Sequence, residues 1–467
     1  MWLADTFVHC SNANLMAGRS KVKNFVRSSI SDRAIACLTT ASCEEALTWR
    51  RGARRAQFAG DTAIVTIDYR PSDPQFLADP FPLYQRLRDQ DPAHWSAELK
   101  AWVLTRYEDV KRVCLDGQMS SDRLRPFFAT LASSEAARME QLMRTLTLWM
   151  VFRDPPEHTR LRRLASRVFN ARTIAALRSD IEALTAWLLE GIGGRSEFDF
   201  IAEFAGPLPA LVIMDMLGVP RAELARLKHL SDEMALFIGS ARDTPDKYER
   251  AEAATREMAG LFRALIAERR RAPRADLLSE LVRLEENGDR LSEDELVATC
   301  VLLLFAGHET TTHHIANGLA ALLRFPGELA KLRRNPALAP AAVEELLRYD
   351  GPIGAQVRIV QEPQRLHGRE LKAGERVFLM LNAANRDPRA YDEPDRLDLE
   401  RHGPPHLSFG YGAHICLGFP LARLEGQVAL PAVLARWRHI EPAAGRVEWL
   451  DSMVLRGMKA FPIRVGS

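Results

Sequence analysis

Apolar residues recur at intervals of three and four along most of the chain beyond residue 66, which is the spacing of amphipathic helices. Three stretches show this spacing most clearly, namely 78–90, 172–192 and 255–272. Short runs typical of strands are few, and the clearest are 101–106 and 375–384. The pattern therefore predicts a mainly α fold with small β-sheets.

The longest predicted helix has both of its ends marked in the sequence. Ser292 followed by Glu295 forms a capping box, and Pro326 stops the pattern. The interval holds about 32 residues, which corresponds to a length of roughly 48 Å. In its middle the apolar pattern gives way to the polar stretch 305–314, in which Gly307 removes side-chain bulk. We expect a kinked or widened turn beside a ligand there.

Residues 1–66 differ in character from the rest of the chain. They carry Ser, Ala and Arg without sustained periodicity, apart from a candidate helix over 42–56. We interpret them as an appended or poorly ordered extension, or as sequence upstream of a later start at Met16. Residues 67–467 contain neither an internal repeat nor a Gly/Ser linker. We expect them to form one large domain of about 400 residues, organised around something large at its centre.

Composition narrows the classes of function. Hydrophobic residues make up 47% of the chain and charged residues 27%, with a formal net charge of +2. This balance argues against a nucleic-acid-binding protein, which needs a concentrated basic face. The most apolar window, 296–307, is shorter than the roughly 20 residues that span a bilayer, and the N-terminus lacks the pattern of a signal peptide. The six cysteines are scattered without disulfide or zinc spacing, so we expect a reducing cytoplasm.

One cysteine lies in unusual surroundings. Cys416 belongs to the glycine-rich stretch 408–418, and a helix is predicted to begin directly after it. The positive end of a helix dipole lowers the pKa of a nearby thiol and favours the thiolate. We expect backbone amides around Gly410, Gly412 and Gly418 to point at the sulfur.

Two other interpretations of a cysteine have to be weighed. Many cysteines are buried structural thiols, and we keep that interpretation for Cys114 and Cys300, which lie in apolar helical sequence. A core thiol needs no glycine-rich surroundings, which argues against this interpretation for Cys416. A catalytic nucleophile is disfavoured because no histidine with an orienting carboxamide is evident nearby. In an extended loop His414 would point away from the sulfur.

The stretch Phe409–Gly418, FGYGAHICLG, resembles the haem-binding loop of the cytochrome P-450 family, F-x-x-G-x-[RH]-x-C-x-G, at every fixed position. Three further segments resemble family motifs, namely AGHETT at Ala306–Thr311 in the long helix, EELLR at Glu344–Arg348 and DPPEHTRLRR at Asp154–Arg163. The stretches ANRDP and EPDRLDLER, between EELLR and the loop, fill the intervening pattern. The resemblance covers residues 67–467 and says nothing of the first 66.

The resemblance implies the cytochrome P-450 fold, a single large domain with haem b between the long central helix and the helix that follows the cysteine loop. Cys416 would be the axial ligand of the iron, and a thiolate ligand favours O–O cleavage. Within EELLR, Glu345 and Arg348 would form a buried ion pair with the chain that approaches the loop. The other implied haem contacts are His158, Arg162, Arg358 and His414 at the propionates, Phe409 beside the sulfur, and Ala306, Gly307, Gly410 and Gly418.

Glu309 and Thr310 resemble the acid and the alcohol with which the family relays protons during oxygen activation. Without that resemblance, the threonine run would be interpreted as hydroxyls that bond back to the carbonyl four residues earlier. The nearby His308, His313 and His314 lack the spacing of a usual metal site, and we interpret them as polar lining or surface.

These features predict a haem-thiolate monooxygenase that inserts one oxygen atom from O2 into an apolar small molecule, with electrons from NAD(P)H. Ferredoxin and ferredoxin reductase, or flavodoxin, would supply the electrons, and the donor would dock on a face that carries Arg160, Arg163 and Arg167. A peroxide-driven or isomerising enzyme and a haem sensor or carrier are the alternatives. The pair of Glu309 and Thr310 argues against both. We expect a cytoplasmic monomer of secondary metabolism with no nucleic-acid or membrane partner.

The substrate pocket is expected to draw on four parts of the chain. These are Phe127 and Phe128, the long helix, GPIGA from Gly351 and SMVLRGM from Ser452. Such walls favour an apolar substrate of terpenoid, polyketide-like or fatty character, and no residue selects among these.

Overall fold

Helices dominate the computed structural model, which describes residues 67–239, 244–286, 289–443, 445 and 447–466. Tyr69–Ser467 forms one compact unit. The helices of this part are α1 (Pro74–Ala78), α2 (Phe81–Gln90), α3 (Tyr107–Leu115), α4 (Leu124–Ala129), α5 (Ser133–Arg138), α6 (Glu140–Leu146), α7 (Glu157–Val168), α8 (Ala171–Ala175), α9 (Arg178–Ile192), α10 (Pro207–Leu217), α11 (Leu224–Ile238), α12 (Lys247–Arg271), α13 (Leu277–Arg283), α14 (Glu293–Arg324), α15 (Pro326–Arg334), α16 (Ala339–Asp350), α17 (Leu381–Ala384) and α18 (Phe419–Arg436).

The strands are short and form small sheets. They are β1 (Ala93–Ser96), β2 (Ala101–Leu104), β3 (Met119–Ser120), β4 (Glu197–Asp199), β5 (Glu285–Glu286), β6 (Asp289–Arg290), β7 (Ala355–Val360), β8 (Gln364–Leu366), β9 (Arg369–Leu371), β10 (Arg376–Met380), β11 (His439–Pro442) and β12 (Pro462–Gly466). One sheet has the strand order β1-β2-β10-β7-β3, in which β2 and β10 run parallel and the other neighbours antiparallel. A second has the order β11-β12-β4, and β5-β6 and β8-β9 pair alone.

The predicted mainly α fold with small sheets is therefore confirmed. The strand predicted over 101–106 is β2. The strand predicted over 375–384 is wrong in its last part, because β10 ends at Met380 and Leu381–Ala384 forms α17. Strands β2 and β10 pair with each other with Val377 opposite Trp102. The stretch 172–192, predicted as one helix, forms two helices, α8 and α9, which are separated by Ala176 and Leu177. The expectations for residues 1–66, including the helix over 42–56, lie outside the described residues.

The long helix α14 has the predicted ends and a length of 32 residues. The amide of Glu295 donates to the Ser292 hydroxyl at 3.2 Å, and the amide of Ser292 donates to the Glu295 carboxylate at 2.9 Å. The turn at Gly307 is not widened, since α-helical structure continues through it, whereas a kink there stays a prediction. A Cβ on Gly307 would lie 3.3 Å from the Ile213 side chain on α10. The missing side chain therefore allows two helices to pack closely.

Helix α14 lies at the centre of the helical core, where it packs against α10, α12, α16 and α18. A Cβ on Gly318 would lie 3.4 Å from Leu346 on α16 and 3.5 Å from Leu430 on α18. These contacts pack α14 against α16 and against α18, the helix that follows the cysteine loop.

The ion pair expected within EELLR is present and buried, which confirms that prediction. Arg348 donates to the two carboxylate oxygens of Glu345 at 2.7 and 2.8 Å, and the residues are 2% and 4% exposed. Arg348 also donates to three carbonyls of the chain that approaches the cysteine loop, those of Asn385, Pro394 and Arg396. The pair therefore joins α16 to that chain.

We expect Arg348→Ala to destabilise the protein by about 3–5 kcal/mol. The buried Glu345 carboxylate would lose its two-bond partner and keep, of its described partners, only the Asp398 amide and Arg401, at 2.9 and 3.1 Å, and three backbone carbonyls would lose their donor. The control is Arg178→Ala, which removes an exposed i,i+4 pair with Glu182 at 3.5 Å. That change should cost less than about 1 kcal/mol. Urea unfolding followed by circular dichroism measures both, and equal shifts of the two midpoints would contradict the prediction.

Candidate active site

The middle of α14 and the loop that precedes α18 line one cavity with a volume of about 310 Å³. Ten of the predicted site residues line it, namely His158, Arg162, Ala306, Gly307, Thr310, Arg358, Phe409, His414, Cys416 and Gly418. The two predicted site residues outside its described lining are Glu309 and Gly410. The fold therefore brings together positions that are up to 260 residues apart in sequence, from His158 to Gly418.

The backbone of the cysteine loop explains two of its glycines. Gly410 and Gly412 have φ values of +71° and +73°, in the left-handed region that other residues rarely occupy. A Cβ on Gly410 would lie 2.7 Å from the Gln356 side chain, and one on Gly412 would lie 2.9 Å from the Cys114 carbonyl oxygen. These glycines are therefore needed for the turn and for its close approach to β7 and α3.

The sulfur of Cys416 receives hydrogen bonds from the backbone amides of Gly418 and Phe419. The prediction that amides near Gly410 and Gly412 point at the sulfur is therefore wrong, because those glycines shape the turn instead. Gly418 fulfils it. The amide of Cys416 itself donates to the Phe409 carbonyl at 2.8 Å, which closes the loop.

Burial raises the pKa of Cys416, although the two amides and the charges of Arg162 and Arg423 act to lower it. The expectation that the helix start alone favours the thiolate is wrong, because desolvation outweighs it. A cation on the sulfur would reverse the balance, since a coordinating metal ion deprotonates a thiol outright. Cys114 and Cys300 are buried, as predicted, and burial raises the pKa of both.

One end of the cavity is strongly basic. The rings of His158 and His414 lie 3.9 Å apart, and Arg162 and Arg358 line the same cavity. Burial, followed by the charges of His158, Arg358 and Arg162, lowers the pKa of His414 to about 3. His158 Nδ1 is buried without a hydrogen-bond partner among the described residues, and no Asp or Glu belongs to the described lining. The two carboxylates of a haem fit this end, and the Cys416 sulfur in the same cavity fits its iron.

Thr310 lines the cavity, and its hydroxyl donates to the carbonyl of Ala306 at 2.9 Å. This is the back-bonded geometry of a helical threonine. Thr312 makes the same bond to the carbonyl of His308 at 3.0 Å. Thr310 differs from Thr312 in its position, because Thr310 and the adjacent Thr311 line the cavity whereas Thr312 is not part of the described lining.

Glu309 lies in a buried cluster beside the cavity wall. Its carboxylate is 3.2 Å from His308 Nδ1 and 3.9 Å from His313 Nε2. Burial raises the pKa of Glu309 to about 8, and Asp232 adds to the rise. Glu309 is therefore protonated at neutral pH. Burial likewise lowers the pKa of His308 and His313, to about 3 and about 4, so both rings are neutral there.

Sequence reasoning missed several lining residues that precede α7, among them Arg123, Trp149 and Phe152. Trp149 and Phe152 stack with their ring centroids 6.0 Å apart, and Phe305 lies 5.6 Å from Trp149. Arg123 places its guanidinium 5.0 Å from the centre of the Phe152 ring. No local pattern separates these residues from ordinary core positions, because only the folded chain brings them to the cavity.

The predicted substrate walls are partly confirmed. Pro352, Ile353 and Ala355 of GPIGA, and Val454 and Leu455 of SMVLRGM, line the cavity together with α14. The prediction for Phe127 and Phe128 is wrong, because neither belongs to the described lining. Phe128 instead stacks on Phe237 of α11, with centroids 6.2 Å apart and planes within 7°.

Comparison with known proteins gives consistent matches. The family profile described as Cytochrome P450 matches residues 227–459. Cytochrome P450 107B1 of Saccharopolyspora erythraea is 39% identical over 401 residues, or 85% of this chain and 97% of the relative. The cytochrome P450 monooxygenase PikC of Streptomyces venezuelae is 36% identical over 422 residues, or 88% of this chain and 97% of the relative. The chain belongs to the cytochrome P450 family.

A solved structure shows the same relationship in three dimensions. P450BioI, in a crystal structure with an acyl carrier protein ligated to hexadec-9Z-enoic acid, matches with a TM-score of 0.78 at 33% identity. The match covers 84% of this chain and 99% of that one. The predicted family, fold and cofactor are thereby confirmed, and this P450 is a monooxygenase that uses haem b. None of the described helices combines the length and the apolar character needed to span a membrane.

We expect Gly412→Ala to lose more haem and more stability than Gly368→Ala. Both glycines have positive φ, +73° and +75°, which costs an alanine about 1–2 kcal/mol. A Cβ has open space at Gly368 but meets a backbone oxygen at 2.9 Å at Gly412. Haem content per protein and the thermal midpoint measure the difference. Equal losses in the two variants would show that the close approach does not matter.

Proposed function

We propose that this P450 inserts one oxygen atom from O2 into an apolar small molecule, with electrons supplied from NAD(P)H by a separate ferredoxin and its reductase. The observation that carries the proposal is a single cavity lined by Cys416, by Thr310 and by a mostly apolar wall. Its basic end would take the haem carboxylates, and the remaining apolar surface would take the substrate.

Five residues would hold the cofactor. The sulfur of Cys416 would bind the iron, and the haem carboxylates would lie against the basic end formed by His158, Arg162, Arg358 and His414. Guanidinium groups suit this task because they donate two parallel hydrogen bonds to a carboxylate. Haem bound there supplies O2 binding and reductive O2 activation, which a thiolate ligand favours.

Small and aromatic residues would shape the space around the cofactor. Ala306 and Gly307 present little bulk to the cavity, which leaves room for a flat macrocycle against α14. Phe409 would screen the sulfur from water. Its ring lies 6.0 Å from that of Phe419, and the Arg423 guanidinium lies 5.0 Å from its centre.

Glu309 and Thr310 would deliver protons to the cavity. Glu309 holds its proton at neutral pH because of its raised pKa, and Asp232 on α11, which contributes to that rise, is half exposed and pairs with Lys228 at 3.1 Å. A proton could therefore pass from the surface to Glu309. The Thr310 hydroxyl would then give up its hydrogen bond to the Ala306 carbonyl, at a cost of about 1 kcal/mol, and donate to a group in the cavity instead.

The apolar walls support an apolar substrate of secondary metabolism, of terpenoid, polyketide-like or fatty character. Trp149, Phe305, Leu302 and Val454 offer aromatic and aliphatic surface. The polar side chains that α14 adds to the lining are Thr310, Thr311 and His314. The similar P450BioI was crystallised with a long acyl chain carried on a protein. A chain of that kind would suit these walls.

The electron donor would dock near α7 in the cytoplasm, where NAD(P)H and reduced ferredoxin or flavodoxin are available. Arg160 donates to Glu295 and to Asp289, and Arg163 lies 3.5 Å from Asp289, so part of the charge of this face is compensated internally. Arg167, exposed in the last turn of α7, adds to the proposed docking face. An acidic partner would be favoured by the arginines of this face.

We expect Cys416→Ala to abolish the reduced carbon monoxide difference spectrum of a thiolate-ligated haem. The reason is that no other described cysteine lines the cavity. Cys300→Ala serves as the matched control, because Cys300 is buried in α14 and should leave the spectrum unchanged. A protein that stays free of haem after ample haem supply, or identical spectra of the two variants, would refute the proposed function.

We expect product formation to fall as the pH rises through about 8, because Glu309 loses its proton there and can no longer donate it. Glu309→Gln should remove this pH dependence and lower the rate by about 100-fold. The measurement is product formed per NAD(P)H consumed, with a surrogate ferredoxin and a substrate found by spectral screening. A wild-type profile that stays flat through this range would argue against Glu309 as the proton donor.

A further inference from the structure

Arg123 is a positive charge in the cavity wall, and no carboxylate is among the described charges that act on it. It follows β3, directly precedes α4, and lines the cavity. Its guanidinium has no ion pair and no hydrogen bond among the described residues. The neighbouring Arg125, by contrast, pairs with Asp122 and lies 4.0 Å from Glu157.

Only positive charges act on Arg123 in the part of the chain that the structure describes. The charges that act on it are those of Arg358 and Arg376, both positive. Those two donate to backbone carbonyls, Arg358 to Val357 at 3.0 Å and Arg376 to Leu99 at 2.6 Å. Burial, followed by these charges, lowers the pKa of Arg123 to about 10, so it stays positive at neutral pH.

A count of charges leaves one cation for another ligand. Three arginines line the cavity, Arg123, Arg162 and Arg358, and no Asp or Glu belongs to its described lining. In a ferric haem with a thiolate ligand, the porphyrin ring and the sulfur balance the iron, and the two propionates remain. Two charges outside the lining act on these arginines: Asp154, which accepts from the Ser121 amide at 2.8 Å, acts on Arg358, and Arg376 acts on Arg123. Four arginines against Asp154 and the two propionates leave one positive charge when the haem is bound. Among these arginines, Arg123 is the one on which only positive charges act.

We propose that Arg123 binds the carboxylate of the substrate, so that the natural substrate is an apolar molecule with one carboxylate group. A guanidinium group fits a carboxylate in a two-bond geometry, and a single surplus charge matches a monoanion. The aromatic contact with Phe152 holds the group at the edge of the apolar wall. The carboxylate would thus be anchored at one end while the apolar body lies along α14. This inference rests on the proposed function and specifies its substrate class.

The test uses the holoenzyme and a series of saturated carboxylic acids of eight to sixteen carbons, each paired with its methyl ester. Substrate-induced difference spectra and titration calorimetry give the dissociation constants. We expect at least one acid to bind about 10- to 100-fold more tightly than its ester, which is the usual size of a charge-assisted contact. Arg123→Gln should remove that preference and leave the ester affinity within about twofold.

Two further variants make the test specific. Arg123→Lys keeps the charge and should retain part of the preference for the acid. Arg125→Gln removes a neighbouring exposed arginine and should retain all of it. If every acid binds no better than its ester, or if Arg123→Gln weakens acid and ester equally while haem is lost, the proposal is overturned. Failure of the proposed function would appear separately, as the absence of the carbon monoxide spectrum from the unaltered protein.

Discussion

The position of the Cys416 sulfur depends on the buried pair of Glu345 and Arg348. This pair holds the segment 385–398 through three carbonyls and one backbone amide, and so fixes the chain that leads to the cysteine loop. Asn385, the first residue of that segment, donates at 2.8 Å to the hydroxyl of Ser408, at the start of the cysteine loop. This hydroxyl in turn donates to the Leu347 carbonyl of α16 at 2.7 Å. A buried ion pair adds little stability over a well-packed apolar replacement. The pair instead fixes geometry, because its four hydrogen bonds to the backbone hold the chain that leads to the cysteine loop.

Two adjacent residues of helix α14 face different chemical environments. Successive residues of an α-helix are rotated by about 100°, so Glu309 and Thr310 necessarily face different surroundings. Thr310 lines the apolar cavity, whereas Glu309 lies among polar groups beneath α11. The close contacts at Gly307 and Gly318 hold the helix in place. A proton-holding group and a hydroxyl can therefore be adjacent in sequence without the carboxyl itself occupying the space needed by cofactor and substrate.

Local sequence was sufficient to predict features that local interactions determine. The capping box at Ser292, the length of α14 and the pair of Glu345 and Arg348 are all confirmed. The errors concern effects that depend on the whole fold. The widened turn at Gly307 is absent because that glycine serves packing against α10, and the pKa of Cys416 is raised because burial outweighs the helix dipole. The role of Arg123 could not be predicted, since its surplus charge becomes apparent only when three distant arginines share one cavity.

The electrostatics of the cavity link haem binding to the stability of the fold. In the protein alone, burial favours the neutral thiol at Cys416 and the neutral ring at His414. Iron at the sulfur would add positive charge where the protein alone keeps a proton. Propionates at the basic end would add negative charge where Arg162 and Arg358 disfavour the protonated forms of the two histidines. Both changes lower the free energy of the folded state but not that of the unfolded chain. Because a ligand that binds only the folded state stabilises it by mass action, haem affinity and fold stability must be linked. The residues that hold the cofactor therefore also determine how stable the fold is.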